Sequence, residues 1–295
     1  MDPTRSTGQE EFPLLADLHI HSQASDGTYS CSQIISECWA RDIGLVSVTD
    51  HNTLGAYPEI QQLAEGFGIQ VLCGVEIDCT FQGVSYHLLG YGFDPEDQPL
   101  RQLLARSRRT LDEMSDRLVE ALAPHYPQVS LAGYESYTYD RSRGGWKGLC
   151  YLIDRGLATC LEDAMPYYKR YGVTYEQSGF APLEEACQAI HAAGGFCVLA
   201  HPVEYIPLEE LPGRLERLCR QGVDGVECYY PAQDAAYTDA CLTFCREHGL
   251  FITCGGDSHG AFNKEIHGIV YRIGAASRPV EDLCLPEGVL PAEEM

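Results

Sequence analysis

The stretch Leu14-Leu15-Ala16-Asp17-Leu18-His19-Ile20-His21 carries the first decision about the fold. It is a short apolar run interrupted by polar residues, which is the pattern of a strand. Successive side chains of a strand point to opposite faces, so His19 and His21 share one face and can offer two imidazoles to one ion. Further strand-like runs follow at Leu45–Thr49, Gln70–Glu76 and Val84–Tyr91, with helical segments at Cys31–Arg41 and Ala56–Phe67. The alternation resumes after Gly179. Leu183–Ala193 reads as a helix stopped by Gly194-Gly195, followed by strands at Phe196–Ala200, Val223–Cys228 and Leu250–Cys254. Helices at Leu208–Gln221 and Asp234–His248 separate them, and Gly268–Ile273 is expected to supply the last strand. Such alternation predicts a parallel β/α sheet or barrel.

Between residues 96 and 178 the pattern changes. Leu100–Ala123 is a charged helical stretch with Arg106, Arg108, Arg109 and Arg117, and a glycine-containing turn at Arg141–Gly148 leads to helices at Leu149–Arg155 and Glu162–Arg170. The expected organisation is a barrel in two parts, 1–95 and 179–295, interrupted by a helical insert or lid at 96–178. Met1–Phe12 and Pro279–Met295 read as loose tails.

The bulk properties narrow the function classes. A chain of 295 residues with 45% hydrophobic residues can bury a large core. No run approaches the roughly 20 apolar residues of a membrane span, and no apolar signal core opens the chain, so the expected address is the cytoplasm. The 14 cysteines are scattered without a C-x-x-C, and Cys73, Cys79, Cys197, Cys228 and Cys254 lie in strand-like runs, which fits small buried hydrophobes. A formal net charge of −23 offers no basic face for stable binding of long nucleic acid.

Chemistry concentrates at the strand ends. Asp26 follows His19 and His21 in a loop, and Asp50-His51-Asn52 follows the run Leu45–Thr49. Glu76 ends Gln70–Val75, His87 lies within Val84–Tyr91, His201 follows Phe196–Ala200, and Asp257 and His259 follow Leu250–Cys254. Parallel β/α proteins collect catalytic groups at such positions. A lone histidine is usually structural and H-x-H is a weak motif. Six histidines and three acids at strand ends are better explained as ligands for Zn, Mn or Fe.

Asp17-Leu18-His19-Ile20-His21-Ser22, Ser25-Asp26-Gly27, Thr49-Asp50-His51-Asn52, Gly74-Val75-Glu76, Ala200-His201-Pro202, Gly225-Val226-Glu227 and Gly256-Asp257-Ser258-His259-Gly260 together resemble the motif series of the PHP (polymerase and histidinol phosphatase) superfamily. The resemblance runs in order from about Leu14 to Ile273. It is strongest to a bacterial phosphoesterase branch with nucleoside 3′,5′-bisphosphate phosphatases and a 5′–3′ exoribonuclease, which also carries a helical insert. It implies a distorted (β/α)7 barrel with a small helical lid, and two or three divalent ions (Mn, Zn or Fe, with Mg as an option).

Position by position, the resemblance implies one metal held by His19, His21, Glu76 and Asp257. Glu76 would bridge to a second held by His87 and His201, and Asp26, His51 and His259 would hold a third. Asp257, His259, Glu76 and His201 are the implied catalytic set, while Asp17, Asp50 and Glu227 would orient imidazoles or loops from behind; for Asp50 a simple loop cap is an equal alternative. The implied chemistry is hydrolysis of a phosphate ester by a hydroxide shared between metals. Three divalent cations would outweigh three carboxylates, giving a locally positive centre suited to a small phosphorylated nucleotide.

Arg141, Arg143 and Lys147 flank Gly144-Gly145, where they would contact phosphate or simply form a solvated basic turn, and His267 stands near enough to the last strand to join them. One departure bears on specificity. The branch usually opens the helix ending near Gly156 with Arg-x-His, and here Gly145-Trp146-Lys147 occupies those positions, leaving Arg143 as the substitute arginine. The competing functions are trimming of short RNA or DNA from the 5′ end, hydrolysis of histidinol phosphate, and a non-catalytic metal-binding module. Nothing in the sequence fixes an oligomeric state.

Overall fold

The computed structural model describes residues 14–262 and 264–289. It begins with β1 (Leu15–Ile20), α1 (Cys31–Ala40), β2 (Ile43–Val48), α2 (Tyr57–Glu65), β3 (Gln70–Val71), β4 (Gly74–Phe81) and β5 (Val84–Tyr91). Four helices follow: α3 (Gln98–Leu122), α4 (Leu131–Glu135), α5 (Lys147–Asp154) and α6 (Leu161–Arg170). Then come β6 (Ala181–Pro182), α7 (Leu183–Ala192), β7 (Phe196–Leu199), α8 (Leu211–Cys219), β8 (Gly225–Tyr229), α9 (Ala235–His248) and β9 (Phe251–Cys254). Three two-residue strands close the described chain: β10 (Glu265–Ile266), β11 (Ile269–Val270) and β12 (Arg278–Pro279).

Local signals explain several boundaries. Ser30 and Gln33 form a reciprocal capping box at the start of α1. Asp234 accepts the Tyr237 amide to open α9, and Gly249, in the left-handed conformation, ends it.

Seven strands form a ring. β1 pairs with β2 in parallel, and a parallel bridge between His51 and Glu76 carries the ring from β2 to β4. β4 and β5 pair antiparallel along their whole length, β5 pairs antiparallel with β7, and β7, β8 and β9 run in parallel. A second bridge, Ile20 to Ser258, returns the ring to β1. The expected distorted (β/α)7 barrel is therefore present, with β5 running against the other six strands.

Three details differ from the sequence reading. Gln70–Glu76 is not one strand: the chain breaks at Leu72-Cys73, and β4 then runs on to Phe81. Gly268–Ile273 adds nothing to the ring, since only Ile269–Val270 is extended and it pairs with β10 in a separate hairpin. The segment from Pro279 is not loose over its described part. β12 pairs with β1, Cys284 bridges to Ile252, and Val280, Leu283, Leu285 and Val289 pack on the core inside the ring. Apolar side chains outweighed the Pro/Glu content there. Met1–Phe12 lies outside the described residues, as do residues 290–295.

The core is layered. Leu18, Leu45, Leu89, Val198 and Cys254 fill the ring interior, and Val75, Ile77, Leu88, Ile190, Leu215 and Val226 join strands to the outer helices. Each fully buried leucine or isoleucine contributes about 1.5–3 kcal/mol. The helices between β5 and β6 have a core of their own, including Leu118, Leu122, Leu149, Leu152 and Tyr168. The cysteines are unpaired, and Cys73, Cys79, Cys197, Cys228 and Cys254 are all buried, as the small-hydrophobe reading expects. Among the described residues no helix is long and apolar enough to cross a membrane.

Candidate metal centre

The ring delivers a candidate ligand from nearly every strand to one mouth. His19 and His21 stand at the end of β1, His51 follows β2, His201 follows β7, and Asp257 and His259 follow β9. Glu76 comes from the first half of β4 and His87 from the middle of β5, because that hairpin overshoots the mouth. Three residues here, Asn52, His201 and Asp257, have positive φ without being glycine. Such strain persists only where surrounding structure enforces it, and it gathers at functional sites.

Glu76 is the centre of the cluster and almost wholly buried. Its Oε2 lies 3.3 Å from His19 Nε2, 3.1 Å from His21 Nε2 and 3.3 Å from His51 Nε2. Its Oε1 lies 3.0 Å from His87 Nδ1 and 3.1 Å from His201 Nε2. One carboxylate thus divides the imidazoles into two groups, one per oxygen. Asp257 Oδ1 approaches the first group, 3.4 Å from His19 Nε2 and 3.1 Å from His21 Nε2. Asp26, His51 and His259 are brought together with His21, with His259 Nε2 3.3 Å from Asp26 Oδ2 and the His21 and His259 rings stacked at 4.0 Å.

These residues fit divalent ions. His19 Nε2 and His21 Nε2 face each other at 3.1 Å, an arrangement that suits two lone pairs directed at a common cation. Glu76 Oε2 and, on the Asp26 side, His21 Nδ1 are buried without a hydrogen-bond partner. Buried polar atoms are normally satisfied, so an orphan carboxylate oxygen ringed by three imidazole nitrogens marks a place for an ion. The donor set of imidazoles and carboxylates is that of Zn, Mn or Fe.

Without metal, the carboxylates favour imidazolium at His21 and His87, while burial lowers the His51 ring toward the neutral form. Burial opposes charge on the His21 ring, but the facing Asp257 and Glu76 carboxylates prevail and raise it to about 10. For His87 burial is likewise overcome, chiefly by the Glu76 charge, and the ring is raised to about 9. Burial would raise Glu76 and Asp257, yet the facing imidazoles, His51 and His19 foremost respectively, hold both carboxyls well below the usual range.

The supporting acids divide their tasks. Glu227 is fully buried, lies 2.9 Å from His19 Nδ1 and accepts the His201 N–H at 2.8 Å, so it orients one imidazole and one loop. Asp50 accepts from the Ser22 amide (2.8 Å), the Ser22 hydroxyl (2.6 Å) and the Ser25 hydroxyl (2.5 Å). It is a loop organiser. Asp17 accepts from the amides of Gly256 (2.9 Å) and Gly274 (2.7 Å), and burial raises its carboxyl to about 6 despite those bonds.

A cavity of about 560 Å³ opens beside the cluster. Asp26, His51 and Asp78 line the cluster side, while Arg108, Arg141 and Lys147 supply cations and Tyr134, Tyr139, Trp146 and Tyr175 supply aromatic walls. Arg141 reaches across to the carbonyls of Gln23 and Ala24. Lys147 sits 4.4 Å over the Tyr134 ring.

Several expected substrate contacts fall elsewhere. Arg143 makes a two-pronged ion pair with Asp154, 3.0 and 2.8 Å, and is not among the residues lining the cavity. The Gly144-Gly145 turn docks on the ligand loop instead of facing solvent, with the Gly145 N–H donating to the Asp26 carbonyl at 2.7 Å. His267 is exposed at the tip of the β10–β11 hairpin, with positive φ, and the structure does not bring it to the cluster. Two residues escaped the sequence reading. Arg108 lay hidden in a charged helix. Asp78 follows Glu76 by two positions on the same face, and strand alternation would have exposed it had β4 been read past Glu76.

With this geometry in place, comparison with known proteins gives the class. The PHP domain model matches residues 17–223, and the chain belongs to that family. It is 28% identical over 256 residues to a 5′–3′ exoribonuclease of Haemophilus influenzae, covering 82% of this chain and 89% of the relative. It is 26% identical over 278 residues to a phosphoribosyl 1,2-cyclic phosphate 1,2-diphosphodiesterase of Eggerthella lenta (89% and 100% covered). A 3′,5′-nucleoside bisphosphate phosphatase of Chromobacterium violaceum is 27% identical over 249 residues (82% and 86%). A crystal structure from Bifidobacterium adolescentis, assigned as a metal-dependent phosphoesterase, superposes with a TM-score of 0.70 at 22% identity, covering 91% of this chain and 94% of that one. The protein is a PHP-family metal-dependent phosphoesterase, a hydrolase of phosphate esters.

Proposed function

We propose that the protein is a phosphatase for a small phosphorylated nucleotide, such as a nucleoside 3′,5′-bisphosphate, working with up to three divalent ions. The observation that carries this reading is the cavity: Asp26, His51 and Asp78 of the cluster line it together with Arg108, Arg141 and Lys147, four aromatic rings, and Asp112 and Asp116. Its volume of about 560 Å³ suits a mononucleotide-sized ligand. The acidic balance of the chain, with a formal net charge of −23, counts against tracking a long strand.

His19, His21, Glu76 and Asp257 would hold one ion; Glu76, His87 and His201 a second; and Asp26, His51 and His259 a third. Bound there, Mn, Zn or Fe would neutralise phosphoryl oxygens and lower the pKa of a coordinated water. The chain's own part is positioning. Arg108, Arg141 and Lys147 draw the phosphate-bearing end into the cavity, and Tyr134 and Trp146 offer surfaces for a base. The Tyr230 hydroxyl stands 2.6 Å from Glu204 Oε1 and 3.1 Å from Asp257 Oδ2, so its one proton is shared between the two carboxylates beside the cluster.

The names of two relatives favour neighbouring readings, trimming of short RNA from the 5′ end and opening of a cyclic phosphate. A single panel separates all three. Chelator-treated protein reloaded with Mn²⁺ is offered a nucleoside 3′,5′-bisphosphate, mononucleotides, histidinol phosphate, a ribosyl cyclic phosphate, a dinucleotide and a long oligomer. The expected result is phosphate release that is fastest from the bisphosphate and absent without metal. Preference for the long oligomer would refute the phosphatase assignment, and inertness toward every ester would refute the enzyme.

A further inference from the structure

Asp78 belongs to none of the ligand sets above, yet it is among the most buried charged groups of the chain, 1% exposed. It lies on β4 two residues beyond Glu76, so both carboxylates point from the strand to the same side. His51 and His87 stand between them. His87 presents Nδ1 to Glu76 Oε1 at 3.0 Å and Nε2 to Asp78 Oδ1 at 3.2 Å. His51 presents Nε2 to Glu76 Oε2 at 3.3 Å and Nδ1 to Asp78 Oδ1 at 3.6 Å. Each ring is therefore bracketed, with one nitrogen toward the centre of the cluster and the other toward Asp78.

Resting on the metal-centre reading above, we propose that Asp78 is a positioning residue that fixes the rings of His51 and His87 together. A metal-ligating imidazole needs its second ring nitrogen held by an acceptor, which sets both tautomer and orientation. Asp78 Oδ1 is buried with no hydrogen-bond partner, has lone pairs for two such N–H groups, and faces His87 Nε2 at 3.2 Å and His51 Nδ1 at 3.6 Å. Its second oxygen accepts from the Asn52 side-chain amide, and the Asp78 N–H donates to Asn52 Oδ1 at 3.2 Å. Asn52 is itself fixed, with positive φ and its N–H on the Glu76 carbonyl at 2.8 Å. The Asn52–Asp78 pair is thus a rigid bracket spanning the β2–β4 junction. His51 and His87 are assigned to different metal positions, so one carboxylate ties the geometry of both.

The test uses the full chain loaded with Zn²⁺, a diamagnetic probe. In Asp78→Asn, zinc content at saturation should equal that of wild type while affinity falls roughly 10- to 100-fold. The ¹⁵N signals of the His51 and His87 rings should show altered tautomers, with His19, held by Glu227, unchanged. Loss of one zinc per chain at saturation would overturn the inference by making Asp78 a ligand. Wild-type affinity with wild-type ring signals would overturn it by giving Asp78 no role. If Asp78→Asn fails to fold, Asn52→Ala releases the same carboxylate and should perturb the same two rings, and unperturbed rings there would be equally fatal. Wild-type protein that bound no zinc would instead refute the metal-centre reading itself.

Discussion

Replacement of Gly144 by alanine isolates how the helical segment is attached to the ligand loop. Gly144 has φ 72° and ψ −178°, a conformation open almost only to glycine. An added Cβ would also stand 2.5 Å from Phe262 Cβ and 2.9 Å from the Asp26 carbonyl oxygen. Backbone strain of this kind costs about 1–3 kcal/mol and overpacking about as much again, so the native arrangement loses about 2–6 kcal/mol. The least costly relief is for the turn to lift away, breaking the Gly145-to-Asp26 hydrogen bond and freeing the loop that carries Asp26. Urea unfolding should show a lower midpoint, and hydrogen exchange should show loss of protection at the Gly145 amide, with weaker metal binding. Gly156→Ala is the control: φ is +71° but nothing lies within 4 Å of the added Cβ, so strain acts without a clash and the loss should be about 1 kcal/mol. A Gly144→Ala protein with the wild-type midpoint and a protected Gly145 amide would show that the docking argument is wrong.

Four further outcomes follow from the site. The His21 and His87 rings, raised to about 10 and 9, are protonated in metal-free protein at pH 7.5, so loading should release about two protons or more and affinity should climb with pH; calorimetry in two buffers reads this directly. Because both are raised above the unfolded value near 6.5, their contribution to metal-free stability is complete below about pH 6.5 and is lost as pH rises through 9 to 10, which denaturation across that range checks. Arg108→Ala and Arg141→Ala should raise KM by about tenfold, whereas Arg143→Ala, removing a group held by Asp154, should leave KM within about twofold. Glu227→Gln should weaken metal binding roughly 10- to 100-fold, measured by competition with a chelating dye.

Much of this was legible in the sequence, for a physical reason. Ligands at the ends of parallel strands are set by the β/α period, and His19, His21, His51, His201, Asp257 and His259 all lie where that period puts them. What escaped was governed by contacts between distant residues. The reversal of β5 depends on a tight Gln82-Gly83 turn inside what reads as successive strands, and with it went the length of β4 and the position of Asp78. Arg143 looked like a phosphate ligand because its partner Asp154 stands a whole helix away in sequence. His267 looked close to the site because Gly268–Ile273 was expected in the ring, and a local hairpin formed there instead. Charged residues in loops carry no period, so their partners have to be seen.

The ring is joined at two narrow seams, and the candidate ligands stand on them: His51 bridges directly to Glu76, and Ile20–Ser258 lies between His19, His21, Asp257 and His259. Ions bound there would act as rivets across both joints. Loading would then stabilise the folded barrel by RT ln(1 + [metal]/Kd), about 4 kcal/mol at a thousandfold excess over Kd. Chelation would loosen the architecture at the same two joints where it disarms the chemistry, so metal supply would govern how long the protein lasts as well as how fast it works.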